Sequence, residues 1–136
     1  MKRRLRKSRL LQPILMLMPN LDPACLFCKI GAHELPSTSV FENDELYAFP
    51  DIHPKAPVHI LIIPKEHILR SAAEMNEEHE VLLGRMIYRA KQLAEEQGID
   101  TDGYRLVFNV RHNGGQEVDH IHLHLIGGKL LGPLAA

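Results

Sequence analysis

Three histidines stand one residue apart in the run QEVDHIHLHLIGGKLLGP, residues 116–133: His120, His122 and His124. On an extended strand, residues i and i+2 lie about 6.7 Å apart on one face. The imidazoles then share one face, and Ile121, Leu123 and Leu125 share the other, where they can pack on a core. Three readings compete. The first is a solvated polar face that happens to be histidine. The chain has nine histidines in all, and three of them in five residues of an aliphatic run speak against it. The second is a catalytic metal site, because His-x-His on a strand can bring two imidazoles to one zinc. The third is a nucleophilic or acid–base histidine tuned by imidazole neighbours. The preceding Asn113-Gly114-Gly115-Gln116 favours the third, since two glycines let backbone N–H groups approach an anion. Alone, a Gly-Gly pair is more often a tight turn; beside three imidazoles it points to phosphate.

A second chemical pair is Cys25 and Cys28, spaced Cys-x-x-Cys. That spacing suits a metal site or a redox pair better than a long-loop structural disulfide. Two buried small side chains would give the same pattern, so all three readings stay open.

Positioning these residues takes a sheet. Residues 25–31 suit a short helical turn ending at Gly31. SVFENDELYAF reads as two strands, 38–42 and 45–50, around the turn residues Asn43 and Asp44. PDIHPKAP carries three prolines and must be a loop. VHILII, 58–63, is a β-branched run stopped by Pro64 and reads as a buried strand. A helix is expected over 77–97, with Val81, Leu82, Met86, Ile87, Ala90, Leu93 and Ala94 at three- and four-residue spacing. Asn76 is its N-cap and Gly98 its stop. Strands follow at 104–110 and 120–126, separated by the Gly-rich loop 111–116. Several links are too short for parallel crossovers, so the expected class is α+β: an antiparallel sheet with one long helix.

A length of 136 residues suits one domain, and 45% hydrophobic with 24% charged residues is the composition of an ordinary globule. Net charge is −1, which makes no case for nucleic acid. No span of about 20 apolar residues occurs, so no membrane helix is expected. Charge is unevenly placed. Six of the 16 basic residues and one of the 17 acids lie in residues 1–22, so the remainder holds ten against sixteen, a net of −6. Residues 1–22 are expected to be a basic extension and 23–136 the folded domain. A basic start followed by an apolar run also outlines a signal peptide, but Pro13 interrupts it; a true start at Met18 is a further reading. The chain is expected in the cytoplasm.

HIHLHLIGG resembles the histidine-triad pattern, and CLFCKI, FPDIHPKAPVHILIIPKEHI, GYRLVFN and GGQEV resemble that family in the same order. The likeness spans about residues 25–133 and is nearest to bacterial histidine-triad nucleotide-binding proteins. It implies a five-stranded antiparallel sheet with one long and one short helix, paired into a homodimer. It implies hydrolysis of purine nucleoside 5′-phosphoramidates, AMP or GMP joined to an amine, through a nucleotidyl-histidine and with no cofactor needed for catalysis. Dinucleoside polyphosphate hydrolysis, or a nucleotide-binding interaction module, is the alternative. By the resemblance, His122 is the nucleophile, His120 shapes its electrostatics, and a backbone carbonyl or His59 fixes its tautomer. His124 and the amides near Gly115 and Gln116 hold phosphate oxygens. Asp51 takes the ribose hydroxyls, with Ile52 beside it. Leu26, Phe27, Ile30 and Phe49 match the purine slot, although as a bare pattern those four read as plain core. Asn109 and Leu123 complete the nucleotide contacts. Glu117 stands where some members carry Ser, a candidate for contacting the leaving amine; a carboxylate there could instead attract a cationic leaving group or point outward. The resemblance also implies a structural zinc on Cys25, Cys28, His59 and His120. His33, His53, His67, His79 and His112 are expected at the surface.

Overall fold

Asn43 makes the first turn of the sheet: its Oδ1 accepts from the N–H groups of Glu45 (2.9 Å) and Leu46 (2.6 Å). The strands on either side are β1 (Phe41–Glu42) and β2 (Leu46–Pro50). The computed structural model describes residues 20–134, so most of the expected basic extension lies outside the described residues. β3 (Val58–Pro64), β4 (Tyr104–Val107) and β5 (Leu123–Gly127) complete a five-stranded sheet. Its order is β1-β2-β3-β5-β4, and every pairing is antiparallel.

The period-2 alternation divides the molecule into two cores. Leu46, Ala48, Ile60, Ile62, Leu123 and Leu125 face the long helix. Tyr47, Phe49, Leu61 and Ile63 face the opposite way, where the short helix α1 (Leu26–Gly31) covers them with Phe27, Cys28 and Ile30. His124 pairs with Leu61 across β5 and β3, so it belongs to this second face. One layer of the fold is a packed support, and the other carries the chemistry.

The long helix α2 (Glu80–Glu96) buries Leu82, Met86, Ala90, Leu93 and Ala94. Val81 and Ile87, expected on that stripe, are 60% and 45% exposed, because they fall off its centre line. Asn76 does cap, but it caps a 3-10 turn, Glu77–His79, that leads into the helix; His79 Nδ1 in turn accepts from the Asn76 N–H. At the other end Gly98 adopts φ +72°, with Gly98 N–H donating to Glu95 O and Ile99 N–H to Ala94 O. That closing pattern needs a left-handed residue, which glycine adopts without a Cβ clash.

Strand ends differ from expectation. β4 stops at Val107, and β5 begins at Leu123, so His120 and His122 lie in the approach to the strand rather than inside it. Ile121 N–H bonds outside the sheet, to Leu69 O (2.9 Å), which holds that approach in place.

Candidate active site

β3 and β5 set the geometry. Asp51 N–H donates to His59 O (2.9 Å), continuing the β2–β3 ladder by one residue and bringing the Asp51 carboxylate beside the His59 ring. The Lys55 N–H donates to His59 Nδ1 (3.0 Å), so that nitrogen carries no proton. His59 Nε2 therefore bears the proton and donates to His124 Nδ1 at 2.9 Å, with Asp51 Oδ2 also 3.4 Å away. His124 in consequence carries its proton on Nε2 and is a donor there. The Asn109 amide lies 3.5 Å from that nitrogen. Both are N–H groups, so a phosphate oxygen beside the pair could accept from each.

His122 has the opposite tautomer. Its Nδ1–H donates to the carbonyl of His120 (2.7 Å), leaving a lone pair on Nε2. Burial holds its pKa below the usual imidazole value, against the opposing pull of that carbonyl and of the Asp51 and Glu117 charges. Burial likewise pushes His124 down to about 4, helped by His122 and His59, and lowers His59. At neutral pH all three rings are uncharged. His122 and His124 stand 5.0 Å apart between ring centroids, and the Phe27 ring meets His122 edge-on at the same distance. A free imidazole nitrogen thus sits beside an imidazole donor, an arrangement fit for attack on an anionic phosphorus centre.

His120 faces a different group. Its Nε2–H donates to Pro64 O (2.7 Å), so its Nδ1 lone pair points at Cys25 Sγ (3.4 Å) and Cys28 Sγ (3.5 Å). His67 Nδ1 lies 3.5 Å from Cys28 Sγ, and the four ligand atoms fall within 4.8 Å of one another. Tetrahedral zinc with Zn–S about 2.3 Å and Zn–N about 2.05 Å separates sulfur from nitrogen by roughly 3.6 Å. The donor set and its spacing fit zinc, and the Pro64 carbonyl provides the outer hydrogen bond that metal-bound histidines require. Burial pushes the Cys28 thiol up to about 12; a metal taking it as thiolate would release the proton. Asp51, His59 and His124 are also close enough to hold an ion. There, however, the His59 lone pair is occupied by Lys55 N–H and the other nitrogens form a donor chain.

His67 therefore replaces His59 as the fourth member of the cysteine cluster. The antiparallel register gives the reason. Pro64 ends β3 beside His120, whereas His59 pairs with Ile126 near the other end of β5. Five residues of strand separate them, about 17 Å. His67 was expected at the surface, and the signal that finds it is the register itself: a ligand partnering His120 must follow Pro64.

Other expected contacts fall differently. The Leu123 side chain is 1% exposed in the core beneath α2 and cannot reach a nucleotide. The Gly115 and Gln116 amides are already donated within the loop, to His112 O (3.0 Å) and Arg111 O (3.1 Å), because a 3-10 turn at His112–Gly114 closes on them. The Gln116 side chain is a brace: its Oε1 accepts from Arg111 N–H, while Nε2 donates to the carbonyls of Arg70 and Val118. Arg111, held by that brace, has φ +56°, rare for a residue with a Cβ. Phe27, Ile30 and Phe49 are buried and form a floor, whereas Leu26 (47%) and Ile52 (84%) expose apolar surface. Glu117 is exposed. A groove of about 660 Å³ lined by Asp102, Tyr104, Arg105 and Lys129 includes none of the histidines.

Three alternating histidines at the start of an antiparallel strand, with His122 bare at Nε2, His124 linked to His59 and His120 facing two cysteines, carry the histidine-triad pattern. The HIT domain model matches residues 32–130, and the chain belongs to that family. It is 50% identical over 111 residues to the purine nucleoside phosphoramidase of Escherichia coli K12, covering 82% of this chain and 92% of that one. It is 47% identical over 109 residues to the 14 kDa zinc-binding protein of Zea mays, covering 79% and 84%. The crystal structure of a HIT family hydrolase from Legionella pneumophila superposes with a TM-score of 0.79 at 51% identity, covering 82% of this chain and 99% of that chain. No helix among the described residues is long and apolar enough to cross a membrane.

Proposed function

We propose that the chain hydrolyses purine nucleoside 5′-phosphoramidates, AMP or GMP joined to an amine, through a covalent nucleotidyl-histidine. The observation that carries this reading is the pair of opposed tautomers, a bare Nε2 on His122 beside a protonated Nε2 on His124. The phosphoramidase activity named for the E. coli relative supports the same substrate class.

His122 Nε2 attacks the α-phosphorus; a P–N bond to the enzyme forms and the P–N bond to the amine breaks. The amine leaves after taking a proton from solvent. Water then attacks phosphorus, the bond to Nε2 breaks, the water proton returns to solvent, and the nucleoside monophosphate departs. His124 Nε2–H and the Asn109 amide donate to the non-bridging oxygens, where negative charge grows in each transition state. One such donor is worth roughly 10²–10³ in rate. Asp51 accepts from the ribose hydroxyls, and the purine lies on the exposed surface of Leu26 and Ile52 above Phe27. The chemistry runs on imidazoles and needs no cofactor. Cys25, Cys28, His67 and His120 would hold a zinc ion, which supplies a structural cross-link when bound.

The chain works as a homodimer. β4 is an edge strand, bonded only to β5 among the described strands, and Ile87 and Val110 expose apolar surface. Two free, buried cysteines suit the reducing cytoplasm.

Hydrolysis of a fluorogenic adenosine phosphoramidate by the wild type and by His122→Ala tests the reading. The expected result is a loss of several orders of magnitude in the variant, with AMP still bound. Activity that survives the substitution would overturn it.

A further inference from the structure

We propose that zinc at Cys25, Cys28, His67 and His120 is a clasp on the nucleotide slot: it holds α1 against the sheet, so that metal loading sets nucleotide affinity. This rests on the reading that the purine lies against Leu26 and Phe27.

The four ligands come from three separate segments: the start of α1, the turn after β3, and the approach to β5. Cys25 is the N-cap of α1, and its Sγ accepts from Cys28 N–H (3.3 Å). The Asp22 N–H points at Cys28 Sγ (3.5 Å). Both sulfurs are thus built into the turn that starts the helix. Between them in sequence stand only Leu26 and Phe27. Leu26 exposes apolar surface, and Phe27 touches His122 and Phe49 edge-on. A cross-link through positions 25 and 28 therefore immobilises the two residues offered to the base.

The helix has six residues, well below the length at which a helix persists by its own hydrogen bonds. Its packing on Leu61 and Ile63 orients it; the metal would tie it to the body of the fold. The reacting histidines keep further anchors outside α1 and the metal cluster. His120 keeps its bond to Pro64 O, and Ile121 keeps its bond to Leu69 O. The Lys55–His59–His124 chain touches none of the four ligands. Loss of metal would release α1 and leave the triad standing.

The test uses the full chain stripped with a chelator and retitrated with Zn²⁺, with metal content measured throughout. AMP affinity is read by calorimetry, and amide exchange is followed in residues 21–31 and 120–127. Stripping is expected to weaken AMP binding at least tenfold and to speed exchange in 21–31 at least tenfold, with 120–127 unchanged. Both effects should reverse together at one equivalent of zinc. If the stripped protein unfolds, His67→Ala, which keeps three ligands, carries the same comparison. AMP affinity unchanged within twofold would overturn the clasp and leave the nucleotide reading intact. Exchange that rises equally across the sheet would also overturn it, by making the metal a support of the whole fold. AMP bound by neither form would remove the nucleotide reading and the clasp with it.

Discussion

Replacing His59 tests the tautomer chain most sharply, because His59 touches no reacting atom yet decides which nitrogen of His124 holds the proton. In His59→Ala the 2.9 Å bond to His124 Nδ1 is gone, and His124 is free to move its proton to that nitrogen. Complete loss of a transition-state donor costs about 10²–10³ in kcat. The free ring still samples the Nε2–H form, so the loss should be smaller: about 10- to 100-fold in kcat, or about 1.4–2.7 kcal/mol. KM should move little, since ground-state binding draws on Asp51 and the apolar slot. His59 is buried, so truncation also leaves a cavity, and a control must separate the two effects. His59→Gln supplies it: the amide oxygen can accept from Lys55 N–H and the amide nitrogen can donate to His124 Nδ1, replacing both ring nitrogens. Gln should recover most of the rate where Ala does not. The assay is steady-state hydrolysis of an adenosine phosphoramidate, with ¹⁵N imidazole shifts reporting the His124 tautomer directly. Wild-type kcat in the Ala variant, or a His124 spectrum unchanged by it, would show that His59 does not set the His124 tautomer.

Acid should act on activity and stability alike. Because burial lowers the His122 pKa, the acid limb of kcat/KM should fall below 6.5, the value for a free imidazole; a limb above that value would contradict a buried neutral nucleophile. His124 titrates near 4 when folded and near 6.5 when unfolded, so between those values the unfolded chain binds more protons. Stability to urea should therefore decline as pH falls from 6.5 toward 4, by roughly 1 kcal/mol per pH unit for each such imidazole. Leu123→Ala should cost about 2–5 kcal/mol of unfolding free energy as a core cavity, while KM for the folded enzyme stays at its wild-type value; a raised KM with little loss of stability would return Leu123 to the nucleotide site.

The sheet was legible because alternation and helical periodicity are local signals. Ile60 and Ile62 against His59 and Leu61, or Leu123 and Leu125 against His124, announce two faces without any knowledge of the partner strands. The tautomers were only half legible: a carbonyl partner for His122 could be expected, but the Lys55–His59–His124 chain needs the loop 51–57 folded back on its own strand. The cysteine cluster takes His67 rather than His59 for a reason of register, since spacing in the chain does not say which end of β3 meets His120. The loop 111–116 misled differently. Its glycines permit an anion nest, but permission is not occupancy, and the Gly115 and Gln116 amides close a turn instead. Asp51 and Asn109, by contrast, are brought to the same side of the sheet as the histidines that the triad pattern singled out.

If His122 becomes covalently bonded to phosphorus, the stereochemistry of hydrolysis of a P-chiral adenosine phosphorothioamidate in ¹⁸O-labelled water, which keeps the thiophosphate product chiral at phosphorus, will show it. Two in-line displacements, first by His122 and then by water, invert twice, so the expected result is overall retention. Net inversion would mean that water attacks the substrate in a single step, and the nucleophilic role assigned to His122 would be wrong.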